Sequence, residues 1–450
     1  MELRPYQLSA INKYRDNNAV FVAPTGAGKT ILAAALVERL TGNVLVLTHR
    51  EEILYQGEKY FGKCNIIKAG RDENKGSRIT LAQVQTLARR DKLPNIAYVI
   101  SDECQHSVSE GWSKILKTYP ESKNIGLTAT PWRLDGKGLG KHFDEIIEVA
   151  TIAELIEQGY LVRPEYYGAA IDPDLRGVKK TGGDYNQKDL AVRVREKNII
   201  SGVVKSIQKY LAMGKHIIVY AVDRAHANDI YREIGGEYLD GKTHHVDRKE
   251  IITRFNTGFS PLIINVNVLT EGFDGPICDC IVLARPTCST GLYYQMVGRS
   301  LRPYPGKQAA LIIDHGGNVQ RHGFVEEKRE YTLADGLIVG AKKAADSPHT
   351  CRACLAVFYG KKCPLCGITR QLTIYEIREQ EKELELIRIR STGDEVRKAD
   401  YLGFLNWARF TGRKPGAAYG RYKTKYGTPP KREWQEGLIR FCGKECLWIC

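Results

Sequence analysis

Ala23-Pro24-Thr25-Gly26-Ala27-Gly28-Lys29-Thr30 is the stretch on which the fold turns. It follows an apolar run, Ala19-Val20-Phe21-Val22, that reads as a strand. It opens Ile31–Leu40, an Ala- and Leu-rich stretch that reads as a helix. Strand, glycine loop and helix in that order form the context a P-loop requires. Gly26 and Gly28 allow backbone N–H groups to turn inward around phosphate oxygens, and the helix N-terminus adds partial positive charge. Lys29 is expected to neutralise the β- and γ-phosphates of ATP and Thr30 to offer a hydroxyl to Mg²⁺. Thr25 and Ala27 complete the expected nucleotide cradle. The first position is Ala23, where the simplest pattern has Gly. An ordinary Gly-rich turn before a helix is the competing reading, and the flanking elements argue against it.

Working outward, Val44–Leu47, Ala97–Ile100 and Ile125–Leu127 are further apolar runs separated by helical patterns. Apolar strands alternating with helices predict a parallel sheet covered on both faces. Asp102-Glu103 follows the run ending at Ile100. A carboxylate at the C-terminal end of a strand beside the P-loop strand can hold the Mg²⁺ shell, and its neighbour can orient or deprotonate the attacking water. The alternation returns at Ile217–Tyr220, Arg224–Ile234, Leu262–Val266, Ile281–Leu283 and Leu311–Ile313. The expected architecture is therefore α/β. It has two tandem parallel-sheet domains, at 1–150 and 160–330. Residues 165–200 read as an inserted segment with a polar Gly- and Pro-containing centre at 172–190.

Composition fits this reading. The chain has 450 residues, 43% hydrophobic and 26% charged, which excludes a fibrous or wholly disordered protein. No run reaches the ~18 apolar residues needed to span a bilayer. Met1–Pro5 lacks a basic region followed by an apolar core, so neither a membrane nor an export signal is expected. The formal charge of +15 favours a polyanionic partner.

These motifs and those that follow resemble superfamily 2 helicases over residues 1–320, which implies that the two parallel-sheet domains are RecA-like. Arg4-Pro5-Tyr6-Gln7 looks like the N-terminal element whose Gln reads adenine. Leu47-Thr48-His49-Arg50 and Val84-Gln85-Thr86-Leu87 look like motifs Ia and Ib. Asp102-Glu103-Cys104-Gln105 is similar to motif II and Thr128-Ala129-Thr130 to motif III. Thr270-Glu271-Gly272-Phe273-Asp274 looks like motif V, and Gln295 to Arg302 like motif VI. The resemblance implies nucleic-acid contacts by His49, Arg50, Thr86 and Thr270, a nucleotide contact by Asp274, and catalytic roles for Gln295, Arg299 and Arg302. One position departs from the pattern. The fourth residue of motif II, usually Asp or His, is Gln105, with His106 next. That residue couples nucleotide state to motif III, so the strength of coupling is what the departure puts in question.

A closer resemblance is to bacterial and phage helicases of the RadD type, a DNA-repair group. It rests on Leu127–Gly136 and Asp314–Gly323. It implies DNA as partner, single-stranded or branched, with other repair or replication proteins as further partners, in a bacterial cytoplasm or phage-infected cell. Arg299 and Arg302, at i and i+3, are expected on one face of a helix in the second domain. Positive charge from across a cleft is worth about 10³–10⁵ in phosphoryl-transfer rate, so hydrolysis should require the cleft to close.

Beyond residue 330 the character changes. Cys351, Cys354, Cys363 and Cys366 form two Cys-x₂-Cys pairs eight residues apart, in a module at 347–370. Four thiolates so spaced suit tetrahedral Zn²⁺ with a structural role. Cys442, Cys446 and Cys450 fall on one helical face and read as ordinary thiols, with a three-ligand metal site as the alternative. Cys278 and Cys280 read as packing at a strand edge, Cys104 as an inert replacement for a small residue, and His244-His245 as a solvated turn. Residues 375–450 read as a basic helical nucleic-acid-binding region that begins with a charged helix at 375–390. Within it, 401–440 carries nine Lys/Arg against two Glu, a net of +7. Tyr401, Phe404, Trp407 and Phe410 read as a buried helix face. Arg413, Lys414, Arg421, Lys423 and Lys425, with Tyr419, Tyr422 and Tyr426, are expected to contact phosphates and stack on bases.

The function expected is an ATP-dependent DNA helicase or translocase in repair, recombination or replication. An RNA helicase, and a zinc-stapled nucleic-acid-binding protein with a vestigial ATPase, are the alternatives. Intact Lys29, Asp102, Glu103, Arg299 and Arg302 argue against the second of these.

Overall fold

A computed structural model describes residues 2–335, 347–369, 393–410, 414, 416–431 and 434, apart from 49–53, 55–58, 91–92, 94, 108–109, 132–136, 170–172 and 271. It divides into two units. The first holds both parallel sheets and the four-cysteine module, and the second is a C-terminal helical unit.

In the first sheet, β1 (Ala19–Val22), β2 (Asn43–Thr48), β3 (Asn65–Lys68), β4 (Arg71–Glu73), β5 (Ile79–Gln83), β6 (Ile96–Asp102), β7 (Lys123–Thr128) and β8 (Glu145–Glu148) lie in the order β4-β3-β5-β2-β6-β7-β1-β8. Every pairing is parallel except the β3–β4 hairpin at one edge. The P-loop strand β1 and the Asp102 strand β6 flank β7, so three C-terminal strand ends converge on one rim. All four residues of β1 are buried. Each such buried Val or Phe contributes about 1.5–3 kcal/mol of hydrophobic stabilisation, which is why the run carries no polar residue.

The second sheet contains β9 (Arg163–Gly168), β12 (Ile217–Tyr220), β13 (Glu237–Leu239), β14 (Leu262–Asn265), β15 (Cys280–Leu283) and β16 (Ala309–Asp314), in the order β13-β14-β12-β15-β16-β9, all parallel. Strand β9 corrects the expectation that an insert begins at 165. Its residues Arg163-Pro164-Glu165-Tyr166-Tyr167-Gly168 alternate in burial because it is an edge strand, so it lacks the apolar run of a central one. The insert proper is a short hairpin, β10 (Lys180–Thr181) with β11 (Asp184–Tyr185), followed by the helix Gln187–Val194. Asp184 ties this hairpin to the domain by accepting from the Thr287 hydroxyl and the Cys288 amide at 2.8 and 2.6 Å. His244 and His245 are exposed, at the start of the helix His245–Asn256 rather than in a turn. No helix among the described residues is long and apolar enough to cross a membrane.

Candidate nucleotide site and four-cysteine module

The loop after β1 is pinned at both ends. Ala23 N–H donates to the carbonyl of Thr128, at the end of β7, at 2.8 Å. Gly26 and Gly28 have φ of +91° and +78°, a region that L side chains rarely adopt. A Cβ at Gly28 would also stand only 2.7 Å from Gln7 Nε2. Lys29 then opens the helix Lys29–Arg39. Gln7, expected to read adenine, uses both ends of its amide within the protein. Its Nε2 donates to Ala27 O at 2.9 Å and its Oε1 accepts from Arg4 N at 3.0 Å. The Tyr6 hydroxyl donates to the same carbonyl at 3.1 Å. The Gln7 helix thus braces the loop from one side.

On the other side stands a chain of polar groups that runs from the half-buried Lys29 into the core. Lys29 Nζ lies 3.5 Å from Glu103 Oε1. Glu103 sits at φ +51°, a left-handed conformation for a non-glycine residue, just beyond β6. Gln105 Nε2 donates to Glu103 Oε2 at 3.0 Å, while Gln105 Oε1 accepts from the Thr128 hydroxyl at 2.6 Å. The Thr128 hydroxyl oxygen accepts from Thr130 N at 2.9 Å. Gln105 thus makes the connection from motif II to motif III that its identity had put in question. Its amide does so because it can donate to a carboxylate and accept from a hydroxyl at once. Thr130 in turn abuts the second domain, since a Cβ at Gly291 would stand 3.1 Å from its Oγ1. Cys104, within motif II, is fully buried, and burial pushes its thiol well above the ordinary range.

The helix Thr290–Gly298 carries the motif VI residues and ends before both arginines, which corrects their expected placement on one helical face. Arg299 is its C-cap, and Pro303 follows Arg302, so the chain cannot continue the helix there. Arg299 is buried and turned into its own domain. It donates to Thr270 O at 2.8 and 3.2 Å and to Phe273 O at 2.7 Å, and so shapes motif V. Arg302 pairs with the exposed carboxylate of Asp274. Its Cγ would lie 3.7 Å from a Cβ at Gly26, which places it over the P-loop. Gly298 also meets the loop, where a Cβ would stand 2.7 Å from Thr25 Cβ.

The structure brings Gln7, Thr25–Thr30, Glu103 and Arg302 together around the P-loop, with Asp102 closing β6 beside Glu103. Gln295 is buried on the motif VI helix, and Thr270 is buried with its hydroxyl 3.5 Å from Asn267 O. Thr86 is half-buried in the helix Val84–Leu87. His49, Arg50, Glu271 and Trp132–Gly136 lie outside the described residues.

Residues 1–133 match the family model of the type III restriction enzyme res subunit, and residues 202–304 match the helicase conserved C-terminal domain. IRC3 of Saccharomyces cerevisiae, assigned as an ATP-dependent helicase, is 31% identical over 70% of this chain and 51% of its own length. A 51.5 kDa protein of a Lactococcus phage is 29% identical over 81% of each chain. The DNA 3'-5' translocase XPB2 of Sulfurisphaera tokodaii is 25% identical over 69% of this chain and 81% of its own. The chain belongs to superfamily 2 of the helicases. It spans about half the length of IRC3. A fragment of an HsdR-type subunit of a type I restriction enzyme from Vibrio vulnificus YJ016 shares the fold. Its TM-score is 0.58 at 20% identity, covering 72% of this chain and 66% of that one.

In this superfamily 2 chain the four-cysteine module is built on a small hairpin, β17 (His349–Thr350) with β18 (Val357–Phe358), with Cys351 and Cys354 in its turn and Cys363 and Cys366 beyond its second strand. The Sγ atoms of Cys351, Cys354, Cys363 and Cys366 all lie within 4.8 Å of one another. Cys351 to Cys366 and Cys354 to Cys363 are each 3.6 Å apart. These separations are too long for disulfides and suit the edges of a tetrahedron with ~2.3 Å metal–sulfur bonds. The backbone amides of Cys354 and Ala353 hold the Cys351 thiol down at about 6, from an ordinary 9. The donor set therefore fits a closed tetrahedral metal site. Cys278 and Cys280 are fully buried in the second domain.

In the C-terminal unit, the helices Gly393–Phe410 and Gly416–Tyr426 enclose Tyr401, Leu405, Ala408, Ala418, Tyr422 and Trp434. Tyr422 is 1% exposed, so it serves as core, which corrects its expected role as a stacking platform. Arg421, Lys423 and Lys425 are exposed on the same helix. Asp400 accepts from both Lys425 and the Tyr426 hydroxyl, which holds one end of the basic face in place. Arg413, Cys442, Cys446, Cys450 and the charged stretch 375–390 lie outside the described residues, as do the side chains of Trp407 and Phe410.

Proposed function

We propose that the chain is a DNA-stimulated ATPase that moves along or remodels DNA. The carrying observation is the polar chain Lys29–Glu103–Gln105–Thr128–Thr130, which runs from the phosphate loop to the motif VI helix of the other domain. Such a chain makes the position of the second domain depend on the group at Lys29. ATP with Mg²⁺, when bound, supplies the phosphoryl group and the charge on which these residues act. Lys29 and the loop amides would bind the phosphates, and Thr30 and Asp102 would hold the Mg²⁺ shell. Glu103 would orient the attacking water and accept its proton. Arg302 would leave Asp274 to meet the charge developing on the γ-phosphoryl group. The four-cysteine site would hold one structural Zn²⁺.

DNA is the proposed track because XPB2, named as a DNA 3'-5' translocase, aligns over 69% of the chain, and because the chain carries a net charge of +15. The RadD-type resemblance adds a repair role to this proposal. ATPase assays with single-stranded, duplex and forked DNA and with RNA, run in parallel, test it. Lys29→Ala should abolish turnover, and Glu103→Gln should retain ATP binding and lose hydrolysis. Full turnover in either variant would sink the ATPase assignment, and stronger stimulation by RNA than by any DNA would sink the substrate assignment.

A further inference from the structure

Residues 324–335 leave the second RecA-like domain and cross to the first. At the start, the Phe324 ring stacks on Tyr166 of β9 with centroids 4.7 Å apart, and Val325 N–H donates to the Tyr166 hydroxyl at 3.0 Å. Arg329 then donates to the Tyr294 hydroxyl, on the motif VI helix, and to the His322 carbonyl. At the far end, Tyr331 and Leu333 pack against Val20, Val22, Leu139 and Phe143 of the first domain. Gly140 N–H donates to Leu333 O at 2.9 Å, and Gly138 N–H to Asp335 Oδ1 at 2.7 Å. A Cβ at Gly138 would collide with the Leu333 carbonyl, so the fit is close. Between its ends the segment lines a small cleft with Pro24 and Thr25 of the P-loop and Gly298 of motif VI.

The four-cysteine module grips the start of this crossing. Ala356 bridges Tyr167 of β9 in antiparallel fashion, and Gly168 N–H donates to Leu355 O at 2.8 Å. Gln320 Nε2 donates to Thr350 Oγ1 at 3.1 Å. The Tyr359 ring meets Phe324 edge-on at 5.1 Å, and its hydroxyl donates to the Glu327 carboxylate. The module's own buried cluster is only Cys351, Phe358 and Cys363, too little apolar surface to hold a fold without a staple.

We propose that residues 324–335 are a positioning strap for the nucleotide cleft, that the four-cysteine module is its anchor, and that the Tyr359–Glu327 bond is the joint. The consequence for ATP rests on the ATPase reading, whereas the mechanical linkage does not. A metal held by the four sulfurs fixes Tyr359 and the Leu355–Ala356 backbone against β9. The strap then leaves the second domain at a set angle and reaches Gly138 and Gly140 on the first. When the anchor loosens, the two sides of the cleft are held less closely and ATP binding weakens, with no nucleic acid involved. A module whose only role is to touch nucleic acid would leave both properties unchanged.

Hydrogen exchange of the full chain, read at the peptide spanning 138–140, tests the linkage. Tyr359→Phe removes the joint and leaves all four sulfurs, so its metal content should match that of the wild type. Its 138–140 peptide should exchange about ten-fold faster, in the range of a lost hydrogen bond to a charged group. Its KM for ATP without nucleic acid should rise several-fold, with kcat little changed. Chelated wild-type protein that keeps its sheets should show the same change, larger. Unchanged exchange at 138–140 in Tyr359→Phe overturns the proposal, and if chelation unfolds the chain this variant decides alone. If every form lacks turnover, the ATPase reading fails while the exchange result still judges the strap.

Discussion

Gly298→Ala should separate stability from catalysis. Gly298 closes the helix Thr290–Gly298 with no left-handed φ, so alanine suits its backbone. In a helix interior Ala is favoured over Gly by ~0.8–1.0 kcal/mol, and a part of that should appear as a small rise in melting temperature. The added methyl, however, would stand 2.7 Å from Thr25 Cβ and 3.0 Å from Thr25 Oγ1. Carbon atoms in contact prefer roughly 3.5–4.0 Å, so the P-loop and motif VI must part by about 1 Å. Misplacement of that size costs up to ~10²-fold where geometry governs the rate. The expected outcome is a kcat ten- to a hundred-fold lower at saturating DNA, in a protein that melts no earlier than the wild type. Steady-state ATPase and a thermal melt on the same preparation measure both. A kcat within two-fold of the wild type would show that turnover does not need motif VI this close to Thr25, and the account of closure would fail with it.

Gln105→Ala removes two buried hydrogen bonds, one to a carboxylate, together worth about 2–4 kcal/mol; kcat should fall at least ten-fold with KM for ATP little changed, and Gln105→Glu, which sets a second carboxylate beside Glu103, should be no better. Elemental analysis should find about one zinc per chain, lost in a Cys363→Ser/Cys366→Ser variant; a metal-free wild type that remains folded would contradict the site. Charge reversal at Arg421, Lys423 and Lys425 should flatten the slope of log affinity against log salt by up to ~0.9 per lost phosphate contact, with ATPase retained at saturating DNA. Burial holds His226, His315 and His322 down at about 4, from an ordinary 6.5. The unfolded chain takes up these protons first, so the second domain's stability should be full above pH 6.5 and fall towards pH 4. A melting temperature flat across that window would refute this.

The arrangement around the P-loop is legible in the sequence because its pattern is local: glycines, a lysine and a strand-end carboxylate pair must occur at fixed spacing. Central strands such as β1 and β12 were legible because burial on both faces leaves only apolar residues. What escaped depends on distant partners. Strand β9 reads as polar because it lies at an edge. The strap escaped because Tyr331 and Leu333 stand among Lys328, Arg329, Glu330 and Asp335, and only a docking site on another domain makes sense of two isolated apolar residues. Arg299 departs from its expected place for a related reason. Spacing placed it beside Arg302, but the helix ends between Gly298 and Pro303, and the two guanidinium groups then face different carbonyl and carboxylate partners. Tyr422 could have been recognised as core from its spacing to Ala418, one helical turn away.

The parallel pairing of β9 with β16 joins the first strand of the second domain to its last. During synthesis, β9 leaves the ribosome roughly 150 residues before its partner, a wait of about 7–30 s at ~5–20 residues per second. Through that interval β9 has no neighbour in its sheet, and the module that later covers its other side is still further back in the chain. A nascent chain stalled before Asp314 should therefore be sensitive to protease around 163–168 and a target for chaperones that bind extended segments. The order of strands in this sheet makes the second domain an all-or-nothing product of translation, and a truncation inside β16 more damaging than its distance from the P-loop would suggest.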